Sequence, residues 1–150
     1  YRQVLTALEA VPGARSQGAL VAPMRPGGVE LIVGVARDEQ WGLTLAVGLG
    51  GVLVHVLGDA ALRTLPVDDA DVRQMLSELR GSALLDGVRG SKPVDRDALA
   101  SAILGIARLA ERLGDDLESL EVNPLRVEGL TIEALDASVI WAPRATEPGA

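Results

Sequence analysis

The sequence predicts an α+β fold, a mainly antiparallel or mixed sheet backed by two helices. Three observations carry this expectation. Apolar residues alternate at period two through Val29, Leu31, Val33 and Val35. They recur at steps of three and four in two later stretches, Val72 to Leu79 and Leu99 to Leu113. Near the C-terminal end, two β-type runs flank Arg126-Val127-Glu128-Gly129, which reads as a tight turn.

Taken in order, Val4, Leu5 and Leu8 give a helical stripe over Tyr1 to Leu8, stopped at Pro12-Gly13. Ala19-Leu20-Val21-Ala22 reads as a strand, ended by Pro23-Met24-Arg25-Pro26-Gly27-Gly28. Val29 to Ala36 is the next strand, with Glu30, Ile32, Gly34 and Ala36 on the face opposite its valines. Arg37-Asp38-Glu39-Gln40 turns the chain into Leu43 to Val47. Gly48-Leu49-Gly50-Gly51 then separates that run from Val52 to Leu57, which completes a meander.

Asp68 or Asp69 caps the first long helix, Val72, Met75, Leu76 and Leu79 form its stripe, and Gly81 stops it. Leu84 to Gly90 reads as a loop. Asp95 opens the second helix, in which Leu99, Ile103, Ile106, Ala110 and Leu113 share a face before Gly114. A hairpin over Leu117 to Trp141 closes the domain, expected to span residues 1–141. Residues 142–150 read as a tail or linker. A start without Met, inside a helix, reads as an excised piece of something longer.

Composition bounds the chemistry. With three aromatic residues (Tyr1, Trp41 and Trp141), the core must be built from aliphatic side chains. The net charge is −7 and no basic stripe is present, which argues against nucleic acid. The absence of cysteine excludes disulfides, thiolate metal sites and a Cys nucleophile. No signal peptide or long apolar run is visible, so a soluble cytoplasmic protein with no membrane partner is expected.

The hairpin carries the most chemistry. If Glu128-Gly129 forms its two-residue loop, Glu121 faces Asp136, with Asn123 diagonal to it. All three then project from one side of the sheet. Two carboxylates and an amide oxygen suit a hard cation such as Mg²⁺ carrying a phosphate ligand. On spacing alone a solvated strand face explains the same residues slightly better, since acids and amides are ordinary there and metal ligands are rarer. A one-residue slip would separate Asp136 from the others.

Other candidates are weaker. Glu30 is either a solvated strand residue or a polar contact in a ligand cleft. The run Gly48 to Gly51 reads as a hairpin turn more than a phosphate cradle, since Gly-x-x-x-x-Gly-Lys-Ser/Thr is absent. His55, the single histidine, sits mid-strand without an evident partner, and Arg63 and Arg89 are candidate phosphate contacts for which surface ion pairing is the default reading.

In order and spacing these motifs resemble the ATP-grasp domain of the NDP-forming acyl-CoA synthetases, the group of the succinyl-CoA synthetase β subunits. The residues that carry it are Leu20-Val21-Ala22-Pro23-Met24, Gly28-Val29-Glu30-Leu31-Ile32-Val33-Gly34, Asp38 with Trp41-Gly42, and Gly48-Leu49-Gly50-Gly51. Leu84 to Gly90, Glu121-Val122-Asn123-Pro124-Leu125 and Leu135-Asp136-Ala137 complete the set. The likeness implies the C-terminal of two lobes that clasp ATP or ADP. It implies Asn123 and Asp136 as Mg²⁺ ligands, and Glu121 as the residue that stabilises a docking phosphohistidine. Val21, Ala22, Pro23 and Met24 would border the adenine, with Glu30 beside the nucleotide.

The implied reaction interconverts acyl-CoA, ADP and phosphate with carboxylic acid, CoA and ATP. The partners it needs are the N-terminal lobe and the CoA-binding and phosphohistidine domains; alone, the lobe should be inactive and prone to self-association. The family has Gln where Ala22 stands, Phe-Gly-Pro where Trp41-Gly42-Leu43 stands, an acid at His55 and Tyr at Val88. Those departures motivate a second reading, a non-catalytic regulatory or assembly module in a multidomain protein such as an acetyltransferase fusion.

Overall fold

Strand β1 (Val29–Asp38) is the centre of the sheet. In a computed structural model describing residues 1–15, 18–51, 58–87 and 92–143, it is flanked by β2 (Gly42–Leu49) and β4 (Leu117–Glu128). The strand β3 (Ala60–Thr64) extends the sheet beyond β2. On the far side of β4, β5 (Thr131–Ala134) pairs with its C-terminal half and β6 (Ala137–Trp141) with its N-terminal half. Every pairing is antiparallel; the closing hairpin is present, and the first two strands of the expected meander pair as β1 and β2, with β3 at Ala60–Thr64 as the strand next to β2.

Local chemistry closes these connections. Asp38 Oδ1 accepts from the backbone N–H groups of Gln40 and Trp41 at 2.8 Å, and this turn reverses β1 into β2. Along β1, Leu31, Val33 and Val35 are buried, as period-two alternation requires. They meet α2 (Asp69–Glu78) and α3 (Arg96–Leu113), which lie on the same side of the sheet. Asp68 caps α2 through a reciprocal capping box with Asp71, and Asp95 caps α3. Val72, Met75 and Leu76 from α2, with Leu99, Ile103 and Ala107 from α3, complete an aliphatic core.

Several expectations are corrected. Ala19 to Ala22 is not a strand: residues 18–26 are irregular and mostly exposed. Pro23 and Pro26 lack ladder donors, Gly27 and Gly28 take positive φ, and no strand among the described residues lies alongside. The edge strand β3 was not expected because Ala60-Ala61-Leu62-Arg63-Thr64 is short and holds a single β-branched residue, so its composition does not mark a strand. Part of the segment read as a loop is a 3₁₀ turn, Ser82–Asp86. Arg126 and Val127, read as turn residues, belong to β4. The expected strand Val52 to Leu57 with His55, the stretch from Val88 to Gly90 with Arg89, and residues 144–150 of the expected tail lie outside the described residues. The N-terminal helix α1 (Arg2–Glu9) forms as expected, with Leu5 and Leu8 half-buried.

Candidate functional site

The helices cover one face of the sheet, and the other carries the polar candidates. Register places Gly34 between Ala46 and Glu121, and Ser138 beyond Glu121 on β6. Glu30 faces Arg126 across the same pair of strands. Between these rows β4 bulges: Leu31 faces Leu125, yet Val33 faces Val122. Asn123 and Pro124 together therefore oppose the single residue Ile32. The bulge returns Leu125 to the core while leaving Asn123 exposed.

The hairpin register differs from the expected one by two residues. The loop is Gly129-Leu130, because Gly129 adopts the positive φ, +59°, that a tight hairpin needs at its first position. Asn123 consequently faces Asp136, joined by a backbone hydrogen bond from Asn123 N–H to the Asp136 carbonyl at 3.1 Å. Glu121 faces Ser138 instead of Asp136. A shift of two preserves the side-chain face, so the convergence itself holds. Glu121, Asn123, Asp136, Ala137 and Ser138 line one open cleft of about 140 Å³.

Within that cleft the Asn123 side-chain amide donates to Glu121 Oε1 at 2.9 Å, which leaves its own carbonyl oxygen free of that bond. Asp136 Oδ1 accepts from the Ala137 backbone N–H at 2.8 Å. Among the described residues neither Glu121 nor Asp136 has a basic side chain within salt-bridge distance. Nor do three or more acidic, His or Cys side chains gather into a complete metal cage there. A pair of carboxylates plus one amide oxygen fits Mg²⁺, which keeps several waters and shares its shell with phosphate.

Glu30 lies on this face at the mouth of the glycine-rich link. Its carbonyl accepts from Gly50 N–H at 2.7 Å, and a Cβ on Gly51 would sit 3.0 Å from Glu30 Oε2. The glycines are there so that the link can cross Glu30 closely. Gly48 and Leu49 themselves belong to β2. Val21, Ala22, Pro23 and Met24 are all exposed, Val21 at 80% and Met24 at 91%, on the irregular segment that precedes β1. No contact among the described residues brings them to the acidic cleft.

Sequence reasoning missed three residues. Ser138 lines the cleft but looks like an ordinary strand residue. Asp59 is 8% exposed and accepts from the N–H groups of Arg80 and Gly81 at 2.8 and 2.9 Å, tying β3 to the end of α2. Arg126 is buried in the sheet face, where alternation between Leu125 and Val127 was the available signal.

A model of an ATP-grasp domain matches residues 1–140. The chain therefore belongs to the ATP-grasp family, as the order and spacing of its motifs imply. Among curated relatives, it is 35% identical over 131 residues to the β subunit of ADP-forming acetate–CoA ligase II of Pyrococcus furiosus. That match covers 86% of this chain and 56% of the relative, so the chain spans little more than half the relative's length. Among solved structures, it resembles the dinucleotide-forming acetyl-coenzyme A synthetase 1 of Ca. Korarchaeum cryptofilum in complex with coenzyme A, Ca-AMPCP and HgCl⁺. There the TM-score is 0.86 at 34% identity, over 95% of this chain and 62% of that one. In another structure of that synthetase, with coenzyme A and Mg-AMPPCP, a phosphohistidine segment points towards the nucleotide binding site. The TM-score is 0.73 at 35% identity, over 79% of this chain and 55% of that one.

Proposed function

We propose that this chain is the C-terminal, nucleotide-binding lobe of an ADP-forming acyl-CoA synthetase. The whole enzyme would interconvert acyl-CoA, ADP and phosphate with a carboxylic acid, CoA and ATP through a phosphohistidine on another domain. The observation that carries the reading is the cleft of Glu121, Asn123 and Asp136, whose negative charge has no internal counter-cation among the described residues. Mg²⁺ bound there would neutralise charge on the transferring phosphoryl group.

The chain's own residues divide the work. The Asn123 side-chain oxygen and the Asp136 carboxylate would hold the metal. Glu121, oriented by the Asn123 amide, accepts the ring N–H of the incoming histidine and stabilises its charged form. Glu30 contacts the nucleotide, and Val21 to Met24 border the adenine. The N-terminal lobe supplies the other half of the clasp, and the CoA-binding and phosphohistidine domains complete the enzyme. In this reading residues 1–141 form the lobe and 142–150 a linker, and the enzyme is cytoplasmic. Among the described residues no helix is long and apolar enough to cross a membrane. Self-association of the isolated lobe is expected through apolar surface, such as Ile140 and Trp141, that its partner lobe would cover.

The test uses a protein containing this lobe together with its N-terminal lobe and relay domain. Calorimetry should detect Mg²⁺-dependent binding of AMPPCP, and ATP should form from acyl-CoA, ADP and phosphate. Asp136→Ala should abolish both, and unchanged turnover would sink the metal assignment.

A further inference from the structure

We propose that Arg126 is a positioning residue for the nucleotide: its guanidinium clamps the chain leading out of Val21–Met24 onto the sheet. The inference rests on the reading that Val21 to Met24 border the base. Because Leu125 and Val127 point into the core, Arg126 points to the opposite face, where its side chain is nonetheless 7% exposed. What buries it is the irregular segment itself. Nε donates to the Gly27 carbonyl at 3.0 Å and Nη2 to the Pro26 carbonyl at 2.9 Å. Nη2 also donates to Glu128 Oε2 at 2.7 Å, and Nη1 to Glu133 Oε2 at 3.2 Å. The second oxygen of Glu133 takes Arg25 at 3.1 Å, so one carboxylate holds the segment from two sides.

Two arginines and two glutamates leave this cluster neutral, with the Arg126 fork engaged on protein oxygens. It is thus not a phosphate contact. Gly28 shows how close the fit is. At φ +84°, a Cβ there would lie 2.9 Å from the Val127 carbonyl oxygen and 3.2 Å from Arg126 Nε.

The core does not explain this clamp. The segment it holds exposes Leu20 at 96%, Val21 at 80% and Met24 at 91%, and buries little in return. Ordering such a stretch costs backbone entropy that the packing seen among the described residues does not offset. Presenting an apolar surface to a bound base supplies the missing reason, since preorganisation removes that cost from the binding step.

The experiment compares Arg126→Met and Arg126→Lys in the two-lobe protein with its relay domain. Met keeps the apolar stem and loses the fork; Lys keeps the charge but cannot reproduce the paired geometry. Expected is a rise of about tenfold or more in the AMPPCP dissociation constant and in KM for ADP, with kcat at saturating ADP within about twofold. Lys should fall between Met and wild type. Amide exchange at residues 19–25 should quicken in both variants. Unchanged nucleotide affinity in either folded variant, or a fall in kcat with KM unchanged, overturns the proposal and leaves Arg126 a purely structural residue. Should the wild-type protein fail to bind nucleotide while exchange at 19–25 still quickens in the variants, the functional reading fails and the clamp survives only as structure, which also overturns it.

Discussion

The two halves of β4 make opposite use of the same kind of residue. Toward its start, Glu121 and Asn123 join Asp136 in an open cleft where negative charge stands without a basic partner among the described residues. Toward its end, Glu128 and Arg126 join Glu133 and Arg25 in a neutral, internally bonded cluster. The bulge at Asn123-Pro124 separates the halves. Charge left over marks a place built for something from outside. Charge consumed marks a place built to hold the chain.

The sharpest test of that contrast is Asp136→Ala. Asp136 is exposed and makes one side-chain hydrogen bond, so the melting temperature should hardly move. Turnover of the complete enzyme should fall by at least about 100-fold. A large loss of stability with little loss of turnover would break the comparison.

On the opposite half, Arg126→Met should cost about 2–3 kcal/mol, because carbonyls and carboxylates lose charged donors. Chemical denaturation of the lobe measures it. A cost near zero would mean that water replaces the fork.

Asp59→Ala is a related case away from β4. It removes a buried acceptor from two backbone N–H groups and should cost about 1–3 kcal/mol, with Asn intermediate and nucleotide affinity untouched. Thermal melts of the two variants would show whether the order holds.

The smallest effect is electrostatic. A hydrogen bond from Arg63 holds the Glu78 carboxyl below its ordinary 4.5, outweighing the opposing effect of burial, with the charge of Arg63 and a hydrogen bond from Gln74 adding to it. A depressed folded-state value means the contribution is complete above about pH 4.5 and is lost as pH falls through that lower value. Glu78→Gln should therefore narrow the stability gap to wild type only on the acid side, as read from melts across a pH series. The pair is exposed, so the change should be slight.

Much of this was legible in the sequence. The aliphatic alternation of β1, the Asp caps and the stripes of both helices state their own structure, because period and capping act over a few residues. Glu121, Asn123 and Asp136 were found together because a register error of two residues does not change the face. The segment Ala19 to Ala22 misled, since a strand needs a neighbour and composition alone does not provide one. Arg126 was hidden for a related reason: its partners are about 100 positions away in the chain, at Pro26 and Gly27.

By itself, then, the sequence determined the α+β class, the helices and the set of acids, through local periodicity and turn chemistry. The tertiary structure alone decided which residue faces Asp136, where the bulge falls, and which charges are spent internally. Those outcomes depend on strand partners brought together by folding, and long-range pairing leaves no local trace in the chain.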